Sequence, residues 1–235
     1  GTLFPYTTLF RSGTVDRNLF ELNAIWWNGW HGLDLQNSVH NVIFDNSIIG
    51  NIHYGINQVN ANHTRLQSNL IKRNEWIGLA LESCVNITVW HNDIVENHNH
   101  GLTLHSVTDS ELFGNQILDN SADGIQITLG SHRSQIYCNQ ISGNLRGITI
   151  SASLANDLYY NWIWDNTEYY IYEDHTEHNT TYIHNQYYFY AYFDMDHDGL
   201  VDGDEFIYET SPIDIDSDDD NYLDGYEVQL GTNPL

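Results

Sequence analysis

Apolar and polar residues alternate along this chain in short runs, and the runs are set off by Asn and Gly. The three- and four-residue spacing of an amphipathic helix is missing, so the pattern predicts short strands. The same order then returns. Asn-x-Ile-x-x-Asn starts at Asn23, Asn46, Asn69, Asn92, Asn115, Asn139 and Asn161, at spacings of 23, 23, 23, 23, 24 and 22 residues. Asn185 follows after 24 more, without the second half of the motif. Four residues past the second Asn stands GLDL from Gly32, GINQ from Gly55, GLAL from Gly78, GLTL from Gly101 and GIQI from Gly124. GITI from Gly147 comes one residue early, and Tyr170 takes the glycine's place in the last copy. A third apolar element, such as NVIF from Asn41, closes each unit.

Seven near-copies of one unit argue for a solenoid. Three short strands per 23 residues describe one coil of a parallel β-helix. Asn and Gly suit its corners because both tolerate positive φ. Coils stack about 4.8 Å apart, so seven make a rod of about 34 Å and equivalent side chains form ladders. Ile25, Ile48, Ile71, Ile94, Ile117, Ile141 and Ile163 form the expected inner spine. The Asn columns are expected to bond to one another and to corner backbone groups that need partners.

From Asn18 to Asn185 this pattern resembles the NosD-like, or carbohydrate-binding and sugar hydrolysis (CASH), right-handed parallel β-helix repeats. The resemblance implies an all-β, single-stranded right-handed solenoid, a hand that parallel crossovers also favour. Many activities share that scaffold. It further implies a copper-handling alternative in which His and the one methionine, Met195, serve as ligands. The 13 His are scattered through the phases of the repeat, however.

Charge divides the chain. Of 32 Asp and Glu, 14 fall between Asp194 and Leu235, where there is no Lys or Arg. Asp194, Asp196, Asp198, Asp202 and Glu205 occupy positions 1, 3, 5, 9 and 12 of a twelve-residue loop, with Gly199 at 6 and the Leu200 carbonyl at 7. A hard cation needs six to eight oxygens, which this EF-hand-type spacing brings together. Asp216, Asp218, Asp220, the Tyr222 carbonyl, Asp224 and Glu227 repeat it 22 residues on, with Asn221 at the glycine position. The tandem loops ending in GTNPL resemble thrombospondin type 3-like calcium repeats of secreted and cell-surface microbial proteins. Calcium is the expected cofactor, and extracellular or periplasmic placement follows from it.

The divisions expected are therefore 1–12, 13–193 and 194–235. Thr2 to Ser12 resembles a translated sequencing adaptor and is set outside the fold. The aromatic-rich stretch from Thr167 to Phe193 is expected to cap the solenoid's open end. With 7 Lys and Arg and a net charge of −25, a nucleic-acid surface is not expected. There is no apolar run long enough to span a membrane. Cys84 and Cys138 are two separate thiols, too few for a disulfide framework. The chain reads as a monomeric module of a longer protein.

The Gly-Leu-x-Leu strand offers two outward rows. His31, Tyr54, Ile77, His100, Asp123 and Arg146 precede the glycine; Gln36, Val59, Glu82, His105, Thr128 and Ser151 lie on the other side, with Thr103 between. Stacking brings His100, Asp123 and Arg146 into one column and Glu82 beside His105. A carboxylate–His pair suits general acid–base work, and paired carboxylates suit glycosidic cleavage. Glu82, His100, His105, Asp123 and Arg146 are the candidate catalytic residues. The reading favoured is a non-catalytic glycan-binding or adhesive β-helix on a calcium-stiffened stalk. The alternative is a polysaccharide lyase or glycoside hydrolase using that face.

Overall fold

The computed structural model describes residues 10–13, 17–173, 180–183, 185, 198–200, 208, 210, 215–218, 220 and 222–235. The chain forms two units, Gly1–Tyr187 and Tyr188–Leu235. The first is a parallel β-solenoid. Sheet A stacks Phe10–Gly13, Leu33–Gln36, Ile56–Val59, Leu79–Glu82, Leu102–His105, Asp123–Thr128, Arg146–Ser151 and Tyr169–Glu173. Sheet B begins with Leu19–Glu21 and Val42–Phe44 and ends with Thr181–Ile183; sheet C runs from Ala24–Trp26 to Trp162–Trp164. Each coil passes through B, C and A in turn.

Register follows the repeat. Ile25, Ile48, Ile71, Ile94, Ile117, Ile141 and Ile163 pair rung to rung, all in parallel. They sit in one core with Leu33, Leu35 and their equivalents in sheet A and Ile43, Leu66 and Val89 in sheet B. A strand points alternate residues to opposite faces, so each three- or four-residue strand contributes only one or two inward side chains.

The corners are held by amide ladders. The Asn92 backbone N–H and side-chain amide both donate to Asn115 Oδ1, each at 3.0 Å. The same amide also reaches the Leu66 and Trp90 carbonyls at 3.0 and 2.9 Å. Equivalent bonds link Asn46, Asn69, Asn115, Asn139 and Asn161, and a second ladder runs through Asn51, Asn74, Asn97, Asn120 and Asn144.

The expected reason for Asn and Gly at corners holds in part: Gly50, Gly114 and Gly143, and Asn37, Asn60 and Asn86, take positive φ, but the ladder Asn do not. Positive φ falls on the residue just before each ladder Asn, as at Arg73 (53°), Glu96 (54°) and Asp119 (56°), and the sheet A glycines are not among the left-handed residues. Those glycines are small because coils touch there. A Cβ on Gly78 would lie 2.7 Å from the Gly101 carbonyl oxygen, from Asn97 Nδ2 and from Ile94 Cγ2.

Both ends of the solenoid also depart from expectation. Phe10, Arg11 and Ser12, set outside the fold by sequence, pair with Leu33, Asp34 and Leu35. An open sheet edge pairs through backbone and is indifferent to side-chain origin. In the aromatic stretch, Tyr169–Glu173 and Thr181–Ile183 extend sheets A and B as further rungs. The remainder of the expected cap lies outside the described residues.

In the second unit, α1 (Asp224–Leu230) closes on Gly231, whose φ is 74°. Asp198 joins the two tandem loops. Its Oδ1 accepts the Leu200 N–H at 2.7 Å and its Oδ2 the Gly225 N–H at 2.6 Å. Gly225 packs directly on the backbone of residues 198–200. Among the described residues no helix is long and apolar enough to cross a membrane.

One core position breaks the apolar rule. Gln58 lies in the Leu35–Leu81 column, fully buried, with no partner for Nε2 or Oε1. Two unsatisfied polar atoms cost about 1–3 kcal/mol each, against little loss of volume on replacement by Leu. Gln58→Leu is therefore expected to raise stability by about 2 kcal/mol in chemical denaturation, with an unchanged denaturant slope.

Candidate functional site

The outward residues of sheet A form a polar strip. Asp34, Asn57, Ala80, Thr103, Gln126 and Thr149 occupy successive rungs between the inward Leu and Ile positions. Although they face away from the core, Asp34, Asn57, Thr103 and Thr149 are only 4–8% exposed. The two longer rows foreseen from sequence flank them and give the strip walls. Asp34 accepts the Asn57 amide at 2.9 Å and the Gln36 amide at 3.1 Å. The Thr149 hydroxyl is buried without a partner.

His100, Asp123 and Arg146 meet as the stacking predicts. Asp123 is fully buried; Arg146 Nε donates to its Oδ1 at 2.7 Å, and His100 Nδ1 lies 3.5 Å from its Oδ2. The His100 contact is not an ion pair, because Nδ1 accepts the Asp123 backbone N–H at 3.1 Å. The imidazole proton therefore sits on Nε2. Burial lowers the His100 pKa, the Asp123 carboxylate opposes that and Arg146 adds to it. At neutral pH His100 is an uncharged donor, not a poised base.

Glu82 and His105 face each other across a rung on the opposite wall. From His100 to His105 is five residues of extended chain, about 16 Å. Glu82 and Asp123 thus do not form the close pair, about 5–9.5 Å apart, that glycosidic cleavage uses.

A cluster that sequence reading missed lies on the first wall at coils one to three, counted from Gly32. The Trp30, His53 and Trp76 rings stack with centroids 4.5 and 5.8 Å apart and planes within 7°. His31 stacks on Tyr54 at 4.8 Å, and its Nδ1 lies 3.2 Å from His53 Nδ1. Burial drives the His31 pKa down to about 4, Asp34 counteracting and His53 adding to the fall.

In the second unit Asp216, Asp218 and Asp220 bring carboxylate oxygens within 4.8 Å of one another. Glu227, at loop position 12, is buried, and its Oε2 has no partner among the described residues. Desolvation raises its pKa, and Asp220 and Asp218 add to the rise. Clustered carboxylates, with a further carboxylate oxygen that has no partner among the described residues, fit a hard divalent cation. Asp224 instead accepts from the Ser217 N–H and hydroxyl at 2.9 and 2.6 Å. In the first loop, Asp194, Asp196, Asp202 and Glu205 lie outside the described residues.

Fold and face together define a single-stranded parallel β-helix with a polar groove along one sheet. The chain belongs to the NosD family: residues 11–193 match the family described as periplasmic copper-binding protein (NosD). No curated protein matches it. Among solved structures it is similar to the periplasmic alginate epimerase AlgG, with a TM-score of 0.67 and 19% identity over 70% of this chain and 44% of AlgG. It is also similar to the A-module of the Azotobacter vinelandii mannuronan C-5 epimerase AlgE6, with a TM-score of 0.59 and 16% identity over 77% of this chain and 56% of that module. The chain spans about half the length of these structures. The likeness shows the fold, a right-handed parallel β-helix.

Copper does not fit the described residues. The Asp216–Asp218–Asp220 group is the one cluster of three or more potential ligands among them, and its oxygens are hard. His31 Nδ1 already accepts the Tyr54 N–H at 3.3 Å. Burial pushes the Cys84 and Cys138 thiols up to about 11, and Cys84 Sγ faces backbone carbonyls. Met195 lies outside the described residues.

His31 makes stability depend on pH. Its folded pKa is depressed, so the unfolded chain takes up a proton first as pH falls below 6.5. Stability is full above that value and drains away down to about pH 4. The loss from this group is on the order of 3 kcal/mol. Thermal melts between pH 7 and 4 should show a steep decline that His31→Asn flattens.

Proposed function

We propose that this protein is a non-catalytic, glycan-binding β-helix of the periplasm or cell surface, with a calcium-braced tail. The observation that carries the reading is the walled strip of outward polar side chains on sheet A that runs from Asp34 to Thr149. Sugars present many hydroxyls, and Asp, Asn, Thr and Gln can exchange hydrogen bonds with them at every rung of the strip but that of Ala80. Periplasmic placement is supported by the family's description. Calorimetry with neutral and acidic polysaccharides should detect binding to the intact chain. Thr149→Arg, which fills the strip, should abolish it while the melting temperature stays put. An absence of binding across the panel would sink the reading.

An enzymatic reading draws on one observation, the buried Asp123 clasped by Arg146 beside His100. Under it, His100 Nε2–H and the guanidinium would steady a polysaccharide being cleaved. The neutral, capped imidazole and the distance to Glu82 count against it. Incubation with the same polysaccharides decides: new reducing ends or unsaturated products, lost in Asp123→Asn, would make it an enzyme.

The calcium proposal has its own test. Loops of extracellular modules bind calcium with Kd on the order of 10⁻⁴–10⁻³ M. Millimolar calcium should raise the melting temperature of the tail's transition by a few degrees, as ligand linkage requires. Glu227→Gln should remove most of that rise, because it deletes the charge at the orphaned oxygen.

A further inference from the structure

We propose that the free face of Trp76 is a stacking subsite for a neutral pyranose unit, an inference that deepens the glycan-binding reading and rests on it. His53 comes from the preceding coil and lies parallel to the Trp76 indole, so it covers the face toward the start of the solenoid. The opposite face looks along the axis toward coil four. No ring packs on it among the described residues, and Trp76 is 46% exposed.

The wall drops away beyond that face. The rungs after Trp76 carry Asn99 and then Ala122, an amide and a methyl where an indole would continue the stack. Asn99 Oδ1 accepts the His100 N–H at 2.8 Å. His53 N–H donates to the Trp30 carbonyl at 3.1 Å and Ala122 N–H to that of Asn99 at 3.1 Å, while no such bond joins Trp76 to either neighbouring rung. The result is a notch with an aromatic wall at one end.

Donors surround the notch. The Asn99 amide has no partner among the described residues, and the His100 Nε2–H is left over once Nδ1 takes the Asp123 N–H. A pyranose ring has an apolar C–H face and hydroxyl oxygens at its edge, which suits an indole plane flanked by donors. Charge argues for a neutral sugar. Glu75 adjoins Trp76 in sequence, and the Arg146 guanidinium is already bound to Asp123. Arg146 stands three coils from Trp76, about 14 Å, so the notch opens onto the groove at oligosaccharide length.

Isothermal calorimetry on the full chain with cello-, manno- and chitotetraose, and with mannuronate and galacturonate tetrasaccharides, tests this. A neutral tetraose should bind best. Trp76→Ala should weaken it at least about tenfold, as expected for loss of a central aromatic anchor. Trp76→Phe should stay within about threefold. Trp26→Ala, an exposed tryptophan on sheet C outside the groove, should change nothing, and circular dichroism should show all variants folded. If the parent binds and Thr149→Arg abolishes binding while Trp76→Ala leaves it intact, this subsite is refuted and the groove survives. If the acidic tetrasaccharides bind better, the neutral class is refuted. If the parent binds none of them, both the subsite and the groove reading fall.

Discussion

The structure depends on one hydrogen-bonding arrangement, the stacked Asn amides at the solenoid corners. A coil of 23 residues must turn three times, and every turn takes backbone groups out of strand pairing. Each ladder Asn solves this for its neighbour: one Oδ1 receives both a backbone N–H and a side-chain amide from the adjacent coil, as Asn115 does from Asn92. The ladder also offsets a cost. Residues of every chemical kind, from Trp27 to Asp165, adopt the left-handed conformation just before the corner. Each costs about 1–2 kcal/mol in isolation, so the conformation persists because the corner over-determines it.

That division of labour leaves the outward positions free to vary. Inward sites are apolar with the exception of Gln58, the two amide-ladder corners carry Asn in successive coils, and the sheet A glycine must let two coils touch. The strip from Asp34 to Thr149 obeys none of these rules, which is why it can hold a row of polar groups without disturbing the fold. The same stacking fixes protonation. Asp123 presents a backbone N–H to His100 and its carboxylate to Arg146, so one residue decides that the imidazole donates and that the guanidinium is engaged.

What could be read from sequence follows from what repeats. The Ile spine, the Asn columns and the two rows flanking the strip recur at a fixed period, and all were placed correctly. The column meeting of His100, Asp123 and Arg146 followed from the same arithmetic. The left-handed corner residue escaped notice because its identity changes in every coil. So did the polar strip and the Trp30–His53–Trp76 stack, which exist only as neighbours across rungs. Gln58 was visible in GINQ, but its orientation into the core needed the strand phase. The tail's spacing of acidic residues was legible; that Asp198 also caps α1 of the next loop was not, since the bond spans 27 residues.

Aromatic content alone says little about sugar binding in a solenoid. Trp90, Phe113, Tyr137 and Tyr159 stack on sheet B with planes within 9° and centroids 4.9–6.1 Å apart. Coil stacking sets these rings face to face along the axis, so each one spends its faces on its neighbours and shows solvent only an edge. Such a ladder stabilises the rod, adding to the packing of each rung. A flat apolar face becomes available only where a run stops, at a rung whose successor carries a short side chain. On this reasoning the recognition surfaces of a β-helix are sited less by which columns are aromatic than by where an aromatic column is broken.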